Sequence, residues 1–554
     1  MTDRAPKSFD WRKVLWPIHN HELKKFVPMA IMMLLILFSF STLRSMKDGL
    51  VLSGIGTEAI GFLKTYIVLP SAMIAVIIYM KLLNVMSSQR VFYVIVSFFV
   101  GYMALFAFVL YPNENLIHPS PETVDNLILY APRLKWFFKI FGKWSYATFY
   151  TIAELWGAMI LNLLFWQFAN TITPTEQAKR FYPTLPLVGN LGLITTSIVL
   201  GVSLSEDGPP AATKPMGVIA DTDTAAVTDA IANSTTQAIV QTDATTNAAE
   251  IITKTAEIST QTDAGFTPVF IALILSGCGI LLAYWWMNKY VLTDPKYFDQ
   301  APTNKKSTKS KMKLSIVESI KMIFSSRYLM LIALTVLTYG LTINLVEGIW
   351  KNCVREQYVT QAAITRFNGA FQGIQGITAM IFTIIGGNVL RRTSFTIAAL
   401  LTPLMLLTTG IIFFCFIFFG DSLAFLSTLM LVTPLYFAVI LGAIQNILTK
   451  SMKYSLFDAT RELAYIQLNA ELRSKGKAAV DVVGGRLAKT SGGIIQSTTF
   501  MLFPLMSFNQ AMPFFAVMFV IATIIWLFAA INLGKRYEVL AARSPEEREA
   551  QEAL

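Results

Sequence analysis

The chain has 554 residues, 54% of them apolar and only 14% charged, with 40 Phe and a formal net charge of +11. Ordinary soluble proteins carry roughly 25% charged residues, and so few charges cannot cover a water-facing surface of this size. Lipid must be the solvent for most of the chain. This excludes a disordered protein, a coiled coil and a nucleic-acid-binding domain, and apolar runs of about 20 residues argue against a β-barrel.

In chain order, residues 1–25 are polar and mixed in charge, so no cleavable signal peptide is expected before the apolar run that begins near Phe26. Twelve membrane helices are predicted, each near the length that crosses about 30 Å of hydrocarbon. They fall at 26–43, 61–82, 91–111, 144–168, 183–204, 266–288, 327–350, 368–390, 395–419, 424–449, 483–506 and 511–534. Gly484, Gly485, Gly492 and Gly493 interrupt the eleventh and suggest a broken helix. The expected fold is all-α, a polytopic membrane protein with two six-helix halves, 26–288 and 327–534, in a major-facilitator-like layout.

Lys and Arg recur at alternate ends of these segments: in the N-terminal tail, around Arg90, at Lys179 and Arg180, through 289–327, at Arg391 and Arg392, across 450–489, and after Lys535. By the positive-inside rule the tails 1–25 and 535–554 and the basic loop 289–326 are cytoplasmic. The 205–265 segment, rich in Thr, Ala and Asp, reads as a low-complexity extracytoplasmic loop that cannot bury a core.

The cysteines Cys278, Cys353 and Cys415 and the histidines His19, His21 and His118 have no metal-ligand spacing, and no cofactor or metal is expected. Cys278 and Cys415 lie in apolar runs and read as small core residues. Around Gly485-Arg486-Leu487-Ala488-Lys489-Thr490 the glycines of a phosphate-binding loop are missing, so ATP hydrolysis is disfavoured.

An ionised group inside a span is costly and usually faces a cavity or a partner. Lys64, Glu154, Glu347 and Lys489 lie within predicted spans, and Arg44, Lys47 and Asp48 crowd the end of the first. Glu154, Ala158 and Asn162 share a stripe at i, i+4, i+8, and Gly340, Asn344 and Glu347 do so at i, i+4, i+7. Lys64 and Glu347 are close enough to span ends that snorkelling to the interface is the competing reading. Cations contributed by both halves (Arg44, Lys47, Lys64 and Lys489) point to an anionic substrate. Tyr66, Trp156, Trp166, Tyr339 and Trp350 are aromatics that could stack a base, although packing is the commoner role at such positions.

Several strings carry a resemblance: Trp16-Pro17-Ile18-His19-Asn20-His21-Glu22, Leu43-Arg44-Ser45-Met46-Lys47-Asp48-Gly49, Phe62-Leu63-Lys64-Thr65, Ala153-Glu154-Leu155-Trp156-Gly157, Asn344-Leu345-Val346-Glu347-Gly348-Ile349-Trp350-Lys351 and Lys489-Thr490-Ser491-Gly492-Gly493. Over nearly its whole length the chain resembles the nucleotide transporter family of ATP/ADP translocases of obligate intracellular bacteria and plastids. The resemblance implies that Lys64, Glu154, Glu347 and Lys489 correspond to the charged residues important for transport in that family. It implies a multi-pass inner-membrane protein, not an enzyme, that imports ATP in exchange for ADP by alternating access. The expected partners are nucleotides and the bilayer, with inorganic phosphate a further candidate co-substrate, no nucleic acid, and a monomeric state. A broad-range ribonucleotide antiporter and a proton-coupled nucleotide importer remain the alternatives.

Overall fold

The computed structural model describes residues 18–205, 244–294, 321–324, 326–420, 422–468, 476–477, 479–480 and 484–542. The outer parts of both tails, residues 206–243 of the low-complexity segment and most of the basic central loop lie outside the described residues.

Every regular element among the described residues is helical. Twelve long helices follow the predicted order: α1 (Leu23–Gly54), α2 (Ala59–Val85), α3 (Ser88–Leu110), α4 (Trp144–Ile172), α5 (Thr175–Ser203), α6 (Ala244–Trp286), α7 (Arg327–Gln357), α8 (Gln361–Arg392), α9 (Phe395–Phe418), α10 (Pro434–Ile466), α11 (Gly485–Leu502) and α12 (Phe508–Ala541). Eleven of them are long and apolar enough to cross a membrane. The exception, α11, spans only 18 residues and buries Thr490, Gln496 and Ser497. Short helices between α3 and α4 fill the long 112–143 connection.

Three boundaries differ from the sequence reading in ways that matter. The first span does not stop near residue 43, because nothing breaks the helix before Gly54 and the positive-φ Gly56. Arg44, Lys47 and Asp48 are therefore interior rather than at a span end. The seventh span runs on to Gln357, which places Glu347 well inside it. The tenth begins at Pro434 and continues to Ile466, so Lys450 and Lys453 belong to a span and not to a basic loop. In addition, Ala244–Gly265 of the low-complexity segment is the first stretch of the α6 helix.

Gly492 and Gly493 of α11 are contact points rather than breaks. A Cβ added to Gly340 of α7 would lie 2.4 Å from Ala488, and one added to Gly492 would lie 2.4 Å from the Asn344 Cβ. Small residues on both sides let the two backbones approach, as in close-packed membrane helices. Overpacking a filled interface costs about 1–3 kcal/mol. Gly340→Val is accordingly expected to lower the melting temperature and the yield of monodisperse protein, read by thermal unfolding in detergent. An unchanged melting temperature would show that α7 and α11 have room to separate.

α1 is the centre of the first six helices, packed on α4, α5 and α6, and α7 is the centre of the last six, packed on α10, α11 and α12. The two sets meet through α5 on α8, α1 on α8, and α2 on α11. Those meetings concentrate at the end of the bundle opposite the described termini. There Glu58 accepts a hydrogen bond from the Phe508 backbone N–H at 3.2 Å and faces Arg355 at 3.7 Å. Trp136 meets Phe500 edge-on at the same end. At the terminus-bearing end the ion pairs among the described residues stay within one set: Glu22 with Arg180, Lys453 with Asp458, and Lys477 with Glu462. Cys278 is exposed on the outside of the bundle, Cys415 is half-buried and Cys353 is buried, so the small-core reading fits neither of the two it was made for. The outer face of a membrane helix is turned to lipid, where an apolar side chain needs no protein cover.

Candidate functional site

A connected set of buried and half-buried charges joins the two helix sets at mid-bundle. From α1, Lys47 Nζ contacts Asp48 Oδ1 at 3.0 Å and Glu154 Oε1 of α4 at 2.9 Å, and lies 3.9 Å over the Tyr150 ring. The other Asp48 oxygen takes Lys351 of α7 at 2.9 Å. Arg44 reaches Glu347 of α7 at 3.1 Å. The same Glu347 oxygen is approached by Lys351 at 3.5 Å and by Lys450 of α10 at 3.6 Å. Lys64 of α2 donates to Asn344 Oδ1 at 3.2 Å.

Taking an ion out of water costs several kcal/mol, which pairing must offset. Asp48 and Lys47 meet that requirement through two opposite charges each. Glu347 does not suffice for its neighbours, since one carboxylate oxygen serves three cations. Lys450 Nζ is buried and makes no hydrogen bond among the described residues. Arg44, Lys47, Lys64, Lys351 and Lys450 stand against Asp48, Glu154 and Glu347, a formal surplus of two positive charges. Such a cluster can accept an anion with several negative oxygens, each cation gaining a charge-assisted hydrogen bond.

Of the residues singled out from sequence, Arg44, Lys47, Lys64, Glu154, Asn344 and Glu347 come together here. Asn344 is held by the Gly340 and Ala488 carbonyls, which aims its oxygen at Lys64. Asn162 does not contact the cluster. It donates to the Gly157 carbonyl of its own helix at 2.9 Å and is exposed. The α4 stripe is nevertheless real: Ala158 and Asn162 are exposed and Glu154 half-exposed, while Leu155, Trp156, Met159 and Ile160 between them are buried. Lys489 is exposed and makes no ion pair among the described residues. It lies on the same α11 stripe as Gly493, whose backbone abuts Thr65 and Lys64, one turn nearer the terminus-bearing end.

Sequence reasoning missed Lys351 and Lys450. Lys351 stands one turn beyond Glu347 at i+4, a spacing that signals a shared face. Lys450 ends a polar series, Gln445, Asn446 and Thr449, all buried within an otherwise apolar segment. That series was the available signal. Among the aromatics, Trp156 and Trp350 are fully packed and donate to the Ile36 and Val439 carbonyls. Tyr339 is stacked on Phe457 with Trp526 edge-on, Trp166 packs edge-on against Tyr182, and Tyr66 leans on Phe62 and Phe137.

Three helices have π geometry at or beside these residues: Leu63–Val68 in α2, Gly157–Phe165 in α4 and Lys453–Phe457 in α10. Short π stretches re-aim side chains and occur mostly at functional sites.

A family model described as TLC ATP/ADP transporter matches residues 1–228 and 225–537. The chain is 49% identical over 530 residues to ADP,ATP carrier protein 1 of Rickettsia bellii (strain RML369-C), covering 96% of each. It is 42% identical over 537 residues to ADP,ATP carrier protein 3 of the same strain, covering 97% of this chain and 99% of the relative. Its fold is similar to an inward-facing bacterial homologue of the iron transporter ferroportin, with a TM-score of 0.54 and 11% identity over 93% of this chain and all of the other. A mutant of the nucleoside transporter NupG has a TM-score of 0.50 and 10% identity, covering 93% of this chain and 100% of that one.

Proposed function

Because the chain belongs to the TLC ATP/ADP transporter family, we propose that it exchanges ATP for ADP by alternating access at the charged cluster between its two helix sets. The observation that carries this reading is the surplus of buried and half-buried cations shared between α1, α2, α7 and α10. Nucleotide phosphates supply the missing negative charge. The site residues are Arg44, Lys47, Lys64, Glu154, Asn344 and Glu347, joined by Lys351 and Lys450. Asn162 and Lys489 line the path on the terminus-bearing side. The halves 26–288 and 327–534 rock against one another about this site. The protein sits in the inner membrane as a monomer, with the tails 1–25 and 535–554 and the 289–326 loop in the cytoplasm. Closure at the Glu58 end then makes this an inward-facing arrangement. Inorganic phosphate, which offers the same oxygens, is a secondary co-substrate.

The electrostatics favour strict exchange. An empty carrier must reorient with three cations on one carboxylate oxygen, whereas a loaded one has them neutralised. In liposomes, labelled ATP uptake is expected to need internal ADP or ATP and to be insensitive to an uncoupler. Fast uptake into empty vesicles that collapses with an uncoupler would establish proton-coupled import instead. Orientation is tested separately. With Cys278 replaced by Ser, a cysteine at the exposed Leu116 is expected to react in whole cells with a membrane-impermeant thiol reagent. Reaction only after the cells are opened would invert the topology.

A further inference from the structure

Tyr454 is an aromatic residue that packing does not explain. Its side chain is 62% exposed although it lies inside α10, twelve residues before Ile466. Lys450 stands at i−4 on the same side of α10, and its ammonium points at Glu347. Tyr454 therefore follows the phosphate-facing stripe one turn toward the open end. Lys450 shares the Glu347 oxygen with Arg44 of α1, so this stripe of α10 lies beside the junction of the two halves. The Lys453 ammonium lies 4.2 Å from the ring centroid and is itself held by Asp458 at 2.9 Å. The neighbouring Ser455, Leu456 and Phe457 are buried, with Ser455 against Gly386 of α8. The π turn Lys453–Phe457 is what separates Tyr454 from that packed side.

Tyr150 is fully buried beneath Lys47, and Tyr339 is stacked on Phe457 with Trp526 edge-on. Tyr454 also has one face toward a lysine, Lys453, but the rest of its ring is open.

We propose that Tyr454 is the platform on which the nucleobase stacks while the phosphates occupy the Arg44, Lys351 and Lys450 cations. The proposal rests on the nucleotide-exchange reading and deepens it. Stacking on a tyrosine face is tolerant of base identity, because every base has a π-face. Stacking therefore separates nucleotides from base-free polyphosphate, and the choice of adenine among bases rests on contacts other than this ring.

The test compares ATP with inorganic tripolyphosphate, which has the charges and no base, as competitors of labelled ADP on purified protein and in exchange-competent liposomes. Tyr454→Ala is expected to raise the ATP half-saturation concentration about ten-fold and to leave tripolyphosphate competition within two-fold of the parent. Tyr454→Trp should recover most of the ATP affinity. Tyr454→Leu keeps the bulk and should behave as alanine, which guards against a folding effect. Equal weakening of ATP and tripolyphosphate, or no weakening of ATP, would overturn the platform while leaving nucleotide exchange standing. Absence of ADP-dependent ATP uptake in the parent protein would overturn the exchange reading and the platform with it.

Discussion

Glu347→Gln is expected to slow ATP/ADP exchange by about a hundred-fold or more while nucleotide binding survives. The carboxylate is the shared partner of Arg44, Lys351 and Lys450. Removing one member of a buried charge network leaves the others uncompensated, at a cost of about 3–5 kcal/mol. That cost falls on the empty and reorienting carrier, in which no phosphate is present to replace Glu347. A loaded site suffers less, because the nucleotide supplies the negative charge. The measurement is the initial rate of counter-exchange in liposomes beside ATP affinity for the same purified variant. Parental exchange would mean that Asp48 and Glu154 balance the cluster alone. Loss of binding and exchange in equal measure would assign Glu347 a direct contact with the substrate.

Lys64→Ala and Lys450→Ala are each expected to weaken ATP binding by about 1.5–3 kcal/mol, roughly ten- to a hundred-fold. Lys64 has a neutral partner in Asn344, and Lys450 has a distant share of one carboxylate oxygen. Both retain donors to offer a phosphate. Lys47 and Lys351 are more fully matched, so their loss should lower stability along with affinity. Lys489→Ala, at an exposed site, should weaken binding less than Lys64→Ala, with a larger effect at low ionic strength. Adenosine, which has no phosphate, should bind parent and lysine variants equally poorly. If Lys64→Ala and Lys450→Ala keep parental ATP affinity, the phosphates lie elsewhere and these lysines serve only the fold.

The spans and their order were legible because a lipid solvent imposes length and composition on each segment separately. The charged residues of α2, α4 and α7 were legible for the same reason: each is an anomaly within its own apolar run. What could not be read from the linear chain was where a charged run stops being loop. Arg44, Lys47 and Asp48 look like a helix end by hydropathy, yet their charges cancel through Glu154, Glu347 and Lys351 on distant helices. Lys450 was hidden by the rule that reads clustered basic residues as cytoplasmic, since its neighbours Lys453 and Arg461 look the same in one dimension. The glycines of α11 misled in a different way. A glycine that breaks a helix and one that admits a neighbouring backbone are the same letter, and only Gly340 and Asn344 across the contact distinguish them.

The nine-residue π stretch in α4 fixes a relationship between two places that never touch. Before it, Glu154 meets Lys47; after it, Gln167 bonds to Tyr79 and the Ile172 carbonyl accepts from Lys25 at 2.5 Å. A π turn closes i→i+5 bonds and so holds one residue more than the α turn it replaces. Deleting one residue from 157–165 would let the stretch relax into ordinary α geometry with the two ends of α4 still close to phase. Deleting one residue from the α-helical Trp144–Trp156 part would instead turn everything beyond it by about 100°. A deletion within 157–165 should therefore leave more folded, exchanging protein than a deletion one or two turns earlier.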